Sequence, residues 1–243
     1  MIAKNRDEKP DHTQRFMSIK PDKGYQYCGI FAGSGDSWGL KAGINEKGLV
    51  VVSATASTVS SSDMRIIPYA RKLNERIMEN FATVDEVLQD TTLLKGPRIL
   101  MLGDSTKIAV VEIYRNVACR ILDDGVLYHT NHYVLEEQLS GNKAKPGGSL
   151  VRYERIGELL AGRETLTPED FLDFSHDQCD GPDHSIWRTG STPSSTRTLA
   201  SWIVRVEPGK DPELLFAIVN PGEHQQSFHL TLPQALLYAE ESL

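Results

Sequence analysis

At 243 residues, with 40% apolar side chains, 24% charged side chains and a net charge of −7, the chain has the make-up of an ordinary globular protein, one large domain or two small ones. The acidic balance and the absence of any Lys/Arg run argue against nucleic acid or anionic membrane as a partner, and no stretch reaches the roughly 18 apolar residues of a membrane span. Three widely spaced cysteines, Cys28, Cys119 and Cys179, argue against a disulfide framework and, with no apolar leader at the N-terminus, for a reducing, cytoplasmic compartment.

In chain order, Met1-Ile2-Ala3 is an apolar stub that runs straight into Lys4-Asn5-Arg6-Asp7. Charged and amide groups at that place are costly to bury unless paired, so they form either a surface turn or part of a site. Strands are expected over Gly24–Ala32, Trp38–Ile44 and Leu49–Ser53, the last two joined through Asn45-Glu46-Lys47-Gly48, a four-residue hairpin signal. The polar run Ser57–Asp63 reads as a loop, Pro68–Phe81 as a helix, and Thr83–Leu93 as a second helix whose Thr83 and Glu86 spell a capping box.

Strands follow at Arg98–Leu102, Ile108–Tyr114, Val117–Leu122 and Gly125–Thr130. Helices are expected at Ser149–Ala161 and at Pro168–Phe174, the latter capped by Thr167. A hairpin of Leu199–Val206 and Glu213–Val219 turns through Glu207-Pro208-Gly209-Lys210. No internal repeat and no linker appears, so one domain is expected over residues 1–243. Abundant hairpins with little βαβ alternation imply antiparallel sheets with helices segregated onto their faces, an α+β fold.

The polar residues that stand out are few. Asn131 and His132 end an apolar run in Tyr128-His129-Thr130-Asn131-His132, and Arg152 falls early in a helix, where a cation opposes the macrodipole and calls for a specific partner. His176, Cys179 and His184 lack the second ligand pair of a zinc site, so no metal is expected. Cys28 and Cys119 read as small buried apolar residues within strands.

Taken in order, Lys4-Asn5-Arg6-Asp7, Gly43-Ile44-Asn45-Glu46-Lys47-Gly48-Leu49, Thr130-Asn131-His132 and Ser149-Leu150-Val151-Arg152-Tyr153-Glu154-Arg155 resemble the choloylglycine hydrolase and acyl-coenzyme A:6-aminopenicillanic acid acyltransferase group of N-terminal-nucleophile (Ntn) hydrolases, which includes linear-amide C–N hydrolases and peptidases of the C45 type. His184-Ser185-Ile186-Trp187-Arg188, Ser195–Ser201 and Asn220-Pro221-Gly222 are similar to the acyltransferase branch. The resemblance implies a four-layer αββα sandwich of two antiparallel sheets, its first strand incomplete here. The chemistry it implies is an N-terminal Cys thiolate attacking an amide carbonyl, its α-amino group acting as base, with no cofactor.

By the same resemblance, Asp7 matches the carboxylate that positions the nucleophile's amine, Asn131 the side-chain amide that stabilises the oxyanion, and Arg152 the arginine that supports this network. Asn5 is the amide beside the acid and, with His132, a substrate contact. Lys4 stands where the bile-salt branch has Arg, and Thr55 stands near its second oxyanion amide. The departure is the nucleophile. Met1 lies three residues before Lys4, where the family has its Cys further upstream, and Cys28 falls after the acid motif. The expectation is that translation starts upstream of Met1, that the segment is lost from this chain, or that the protein is a non-catalytic relative that keeps the pocket. Asn5-Arg6-Asp7-Glu8 also resembles the N-R-D-E signature of the TANGO2-like family, over those residues alone.

Pocket walls are expected from Gly33–Trp38, Ser57–Ile67 and Asp180–Ser195. With 7% aromatics there is little sign of a steroid cleft, which favours a small N-acyl amine or peptide-like amide as substrate. A homo-oligomer is left open.

Overall fold

A computed structural model describes residues 1–34 and 37–238. Its strands fall into two antiparallel sheets. The seven-stranded sheet is a meander, in which β2 (Thr13–Ile19), β3 (Tyr27–Ser34), β4 (Ser37–Asn45), β5 (Val50–Ala54), β6 (Arg98–Gly103), β7 (Ile108–Ile113) and β8 (Val117–Leu122) each pair with the next. The four-stranded sheet joins the two ends of the chain in the order β1 (Ile2–Glu8), β9 (Arg197–Arg205), β10 (Glu213–Ile218) and β11 (Gln226–Thr231), with β1 at an edge.

Side-chain alternation builds the layers. Ile2, Phe16, Cys28, Ile30, Ala42, Ile44, Val50 and Val52 meet Ala200, Trp202, Val204, Leu214 and Phe216 between the sheets. The opposite face of the larger sheet, with Phe31, Leu40, Val51, Leu100, Leu102 and Val111, is covered by α2 (Leu73–Asn80) and α3 (Val84–Gln89) through Leu73, Ile77, Met78, Val84 and Val87. Helix α5 (Pro168–Ser175) lies on the outer face of β1 and β9, and α4 (Gly148–Leu160) packs against the short α6 (Gly181–His184). The result is the four-layer αββα arrangement expected from the sequence. None of the helices among the described residues is long and apolar enough to cross a membrane.

The structure departs from the sequence reading in several places. Ile2–Glu8 forms a full strand, β1, and β2, β11 and α7 (Leu232–Leu236) are further elements that the sequence reading did not name. Helix α1 (Ser61–Ile66) occupies the end of the expected loop, because Ser60 caps it by accepting from the Asp63 amide. Helix α2 starts only at Leu73, since Lys72 takes a left-handed φ of 50° that interrupts the turn from Pro68. The second helix stops at Gln89. Thr83 caps it as expected, but the Glu86 carboxylate reaches back to the Ala82 amide, not to Thr83. Gly125–Thr130 forms no ladder. Cys119 is exposed because β8 is an edge strand, in contrast to the fully buried Cys28.

Two β-bulges interrupt the ladders. Opposite Ile30 and Phe31 of β3 stand Ala42 and Leu40, so Lys41 is the extra residue of β4. Opposite Arg6 and Asp7 of β1 stand Ala200 and Thr198, so Leu199 is the extra residue of β9. Bulges re-aim side chains locally.

Candidate active site

Between the sheets at the β1 edge lies a cavity of about 1160 Å³. Its walls come from β1, from residues 52–55, from the unladdered 123–131 segment, from one face of α4 and α5, and from the 183–188 segment.

Strand β1 presents its side chains alternately. Ile2 is buried in the inter-sheet core, which places Lys4 and Arg6 on the same, inward face. Asn5 and Asp7 face the helical layer. The Asn5 amide donates to the carbonyls of Ser175 at 2.6 Å and Ile186 at 2.9 Å, stitching the end of α5 and the 186 segment to the strand. Asp7 accepts from the Thr198 hydroxyl at 2.8 Å, while its second oxygen lies 3.9 Å from Arg188.

Asn131 is held at every polar group. Its backbone N–H donates to Ser149 Oγ at 2.7 Å and its carbonyl accepts from Ser57 N–H at 2.8 Å. Its side-chain oxygen accepts from Arg152 at 3.2 Å, and its Nδ2 donates to the Thr55 carbonyl at 3.0 Å. An amide nitrogen carries two hydrogens. The second has no partner among the described residues, and Asn131 lines the cavity. Arg152, five residues into α4, thus finds the specific partner that its place in the helix demanded. Burial lowers the Arg152 pKa, Asp7 opposes that and Arg188 adds to it, so these three groups share one field.

Behind Asn131 is a polar cluster that sequence reasoning missed. Glu112, in the apolar strand β7, and His129 are both buried and 2.6 Å apart; Glu112 also accepts from the Val134 and Leu135 amides. His132 sits one layer back from the cavity, where its Nδ1 is 2.8 Å from Ser149 Oγ; burial, above all, lowers its pKa. His129 lines the cavity; His132 does not. A lone Glu inside Ile108–Ile113 is a signal in itself, since a carboxylate there requires a partner.

Lys4, Asn5, Asp7, Thr55, Asn131 and Arg152 therefore converge on one cavity. Thr55 enters through its backbone carbonyl, which orients Asn131. Of the expected wall loops, Ser57, Met64, Asp183, His184, Ile186 and Arg188 contribute; Gly35 and Asp36 lie outside the described residues. No cysteine lines the cavity. Cys28 is buried in the inter-sheet core, and burial pushes its thiol far up; Cys119 and Cys179 are exposed elsewhere. His176 packs on Trp187, ring centroids 4.6 Å apart.

Two antiparallel sheets between helical layers, with a cavity at the edge strand that carries Asp7, make up the sandwich of an Ntn hydrolase. The chain belongs to the acyl-coenzyme A:6-aminopenicillanic acid acyl-transferase family, which it matches over residues 1–211. This is the first of the two resemblances read from the sequence. Two solved variants of the conjugated bile acid hydrolase from Clostridium perfringens share the fold. One superposes with a TM-score of 0.53 at 16% identity, covering 94% of this chain and 87% of the other. The second gives 0.50 at 15% identity, covering 92% and 85%. No curated protein matches the sequence.

Proposed function

We propose that the cavity serves cleavage or transfer at a linear amide C–N bond by Ntn chemistry. The observation that carries this reading is Asn131. Its side-chain amide is held at both ends and its backbone at both polar groups, with one N–H left over at the cavity, where a carbonyl oxygen would sit. A donor fixed in this way needs no reorganisation when an oxyanion forms, and one such donor is worth a few kcal/mol.

In this reading the thiolate of an N-terminal Cys, a part that none of Cys28, Cys119 and Cys179 fills, adds to the amide carbon, and the developing oxyanion accepts from Asn131. Asp7, its carboxylate held by the Thr198 hydroxyl, orients the nucleophile's α-amino group. Collapse breaks the C–N bond, the amine leaves with the proton held by that group, and water or an acceptor amine resolves the thioester. Arg152 keeps the Asn131 oxygen engaged so that its nitrogen points inwards. Small peptide-like or N-acyl amides are the substrates this reading favours, on the low aromatic content of the chain, and it calls on no cofactor.

The placement of the three thiols favours a second reading for the chain by itself. With Cys28 in the core and the others remote, the 243-residue protein is expected to bind amides without turning them over. Calorimetric titration with a small N-acyl amide, together with an assay for released amine, tests both statements. Binding weakened severalfold by Asn131→Ala, without turnover, is the expected result. Absence of binding would overturn the amide reading, and turnover abolished by thiol alkylation would overturn the assignment of the thiols.

A further inference from the structure

The amide chemistry leaves one nucleophilic side chain of the cavity unused. Lys4 lines the cavity from β1, where Ile2, Val52 and Met101 also contribute wall. Across the β1–β9 ladder it stands opposite Trp202, which is buried in the inter-sheet core, and such cross-strand neighbours share a face. Part of the water that an ammonium needs is thus replaced by apolar surface.

The charges nearby add to that cost. Arg6, two positions on along the same face of β1, and Lys41, the extra residue of the β4 bulge, line the same cavity. Neither Lys4 nor Lys41 makes a hydrogen bond or ion pair among the described residues, whereas Arg6 is engaged with Glu8 at 3.1 Å and with the Asp7 carbonyl at 2.7 Å. Burial above all, then Arg6 and Lys41, hold the Lys4 ammonium at about 8, against an opposing pull from Asp7. Lys41 is lowered too, but Glu75 and Glu8 both favour its charged form. Lys4 is therefore the amine of this corner that sheds its proton at mildly alkaline pH, beside cations with carboxylate support.

An uncharged, desolvated alkyl amine is a nucleophile. The surrounding field then selects among its products. Condensation with an aldehyde would leave a cationic imine and gain nothing from Arg6 and Lys41. Addition to carbon dioxide inverts the sign of the group. The Lys4 nitrogen bonds to the carbon, one C=O π pair moves onto oxygen, and one amine proton leaves to solvent. A cation among cations becomes a carboxylate-type anion, and buried like charges gain the opposite partner they lack. We infer that Lys4 is a carbamate-forming site, taking up carbon dioxide as an anion that pairs with Arg6 and Lys41. This site stands independently of the amide reading.

The test treats the full chain with 13C-labelled bicarbonate at pH 8, where about half of the Lys4 amine is uncharged. A carbamate resonance is expected in the 13C spectrum. Trapping with triethyloxonium, followed by peptide mass mapping, should place the ethyl carbamate on Lys4. Lys41→Gln should lower the trapped fraction severalfold, since it removes one partner of the anion, and Lys41→Arg should restore it. Absence of trapping at Lys4 in the native protein would overturn the site, whether or not the variants fold. Trapping at Lys4 no greater than at the exposed Lys210 would do the same. A folded Lys41→Gln protein that forms the Lys4 carbamate as fully as the native one would overturn the pairing with Lys41.

Discussion

His129 Nε2 lies 2.6 Å from a carboxylate oxygen of Glu112, and His129 Nδ1 lies 3.0 Å from the Thr130 carbonyl. Both ring nitrogens thus face acceptors, in a place where the side chains of His129 and Glu112 are 2% and 0% exposed. The same carboxylate receives the Val134 and Leu135 amides, so one buried group fixes the chain on either side of Asn131. Removing it leaves His129 Nε2 and the two amides without acceptors. Glu112→Ala is expected to lower unfolding free energy by about 3–5 kcal/mol, as loss of one member of a buried pair does. Glu112→Gln, which keeps an acceptor, should lose less. Urea titration of the three proteins gives the ordering, and equal stability of all three would contradict it.

Arg152 holds one end of the Asn131 amide and the Thr55 carbonyl the other. Arg152→Ala should therefore weaken amide binding severalfold with little change in folding stability, because the Asn131 backbone stays tied to Ser149 and Ser57. Calorimetry beside thermal melting separates the two effects. A fall in melting temperature that accounts for the whole loss would refute the positioning role.

Burial and Arg6 hold the Lys4 ammonium at about 8, below the ordinary 10.5 of lysine, although part of the side chain stays open to water. A base with a lowered folded pKa is disfavoured in its charged form. The penalty is in full force below pH 8 and disappears as pH rises from 8 towards 10.5. Lys4→Met should then stabilise the protein at neutral pH by about 1–3 kcal/mol, the lower end reflecting remaining hydration. It should also flatten the rise in stability across that alkaline window. Unchanged urea midpoints between the two proteins at pH 7 would speak against the buried charge.

Gly29 stands opposite Gly43 in the β3–β4 pair, where an added Cβ would come within 2.1 Å of the Ala42 carbonyl oxygen and 2.7 Å of Gly43 Cα. Neither backbone atom can swing away. Gly29→Ala should destabilise by more than the roughly 1–3 kcal/mol of ordinary overpacking, and the expected observation is loss of soluble folded protein. A variant with native melting behaviour would show that the strands can part.

Cys119 and Cys179 are exposed and Cys28 is buried, with burial raising its thiol. A chromogenic disulfide reagent should titrate two thiols in the native protein and the third only on unfolding. Ligand binding should survive that labelling, since neither exposed thiol lines the cavity.

Strands β6, β7 and β8 were legible in the sequence because each is a short apolar run between turn residues. The hairpins through Asn45–Gly48 and Glu207–Lys210 were legible for the same reason, with Gly48 supplying the φ of 84° its turn needs. Strand β2 was not, because its place depends on a residue 206 positions away: the Asn220 side chain pairs with both backbone groups of Gln14. Strand β11 alternates Phe228 and Leu230 with Ser227, His229 and Thr231, but the run is short and half exposed, and the sequence reading stopped at the hairpin before it. At the site, residue type singled out Asn131, Arg152 and Asp7. The Lys41 bulge and the Glu112–His129 pair are properties of register and burial, which local spacing does not encode.

The alternation of β1 separates two duties along seven residues. Even-numbered Lys4 and Arg6 look to one side of the strand, odd-numbered Asn5 and Asp7 to the other, and at the sheet's edge both sides open on one cavity. A slip of one position against β9 would exchange the cations with the acid and the amide, moving charge from one side of the strand to the other while leaving its composition untouched. The link from Thr198 to Asp7, set just beyond the bulge, is therefore a phase lock on the strand: it determines which parity faces the larger sheet and which faces the helices.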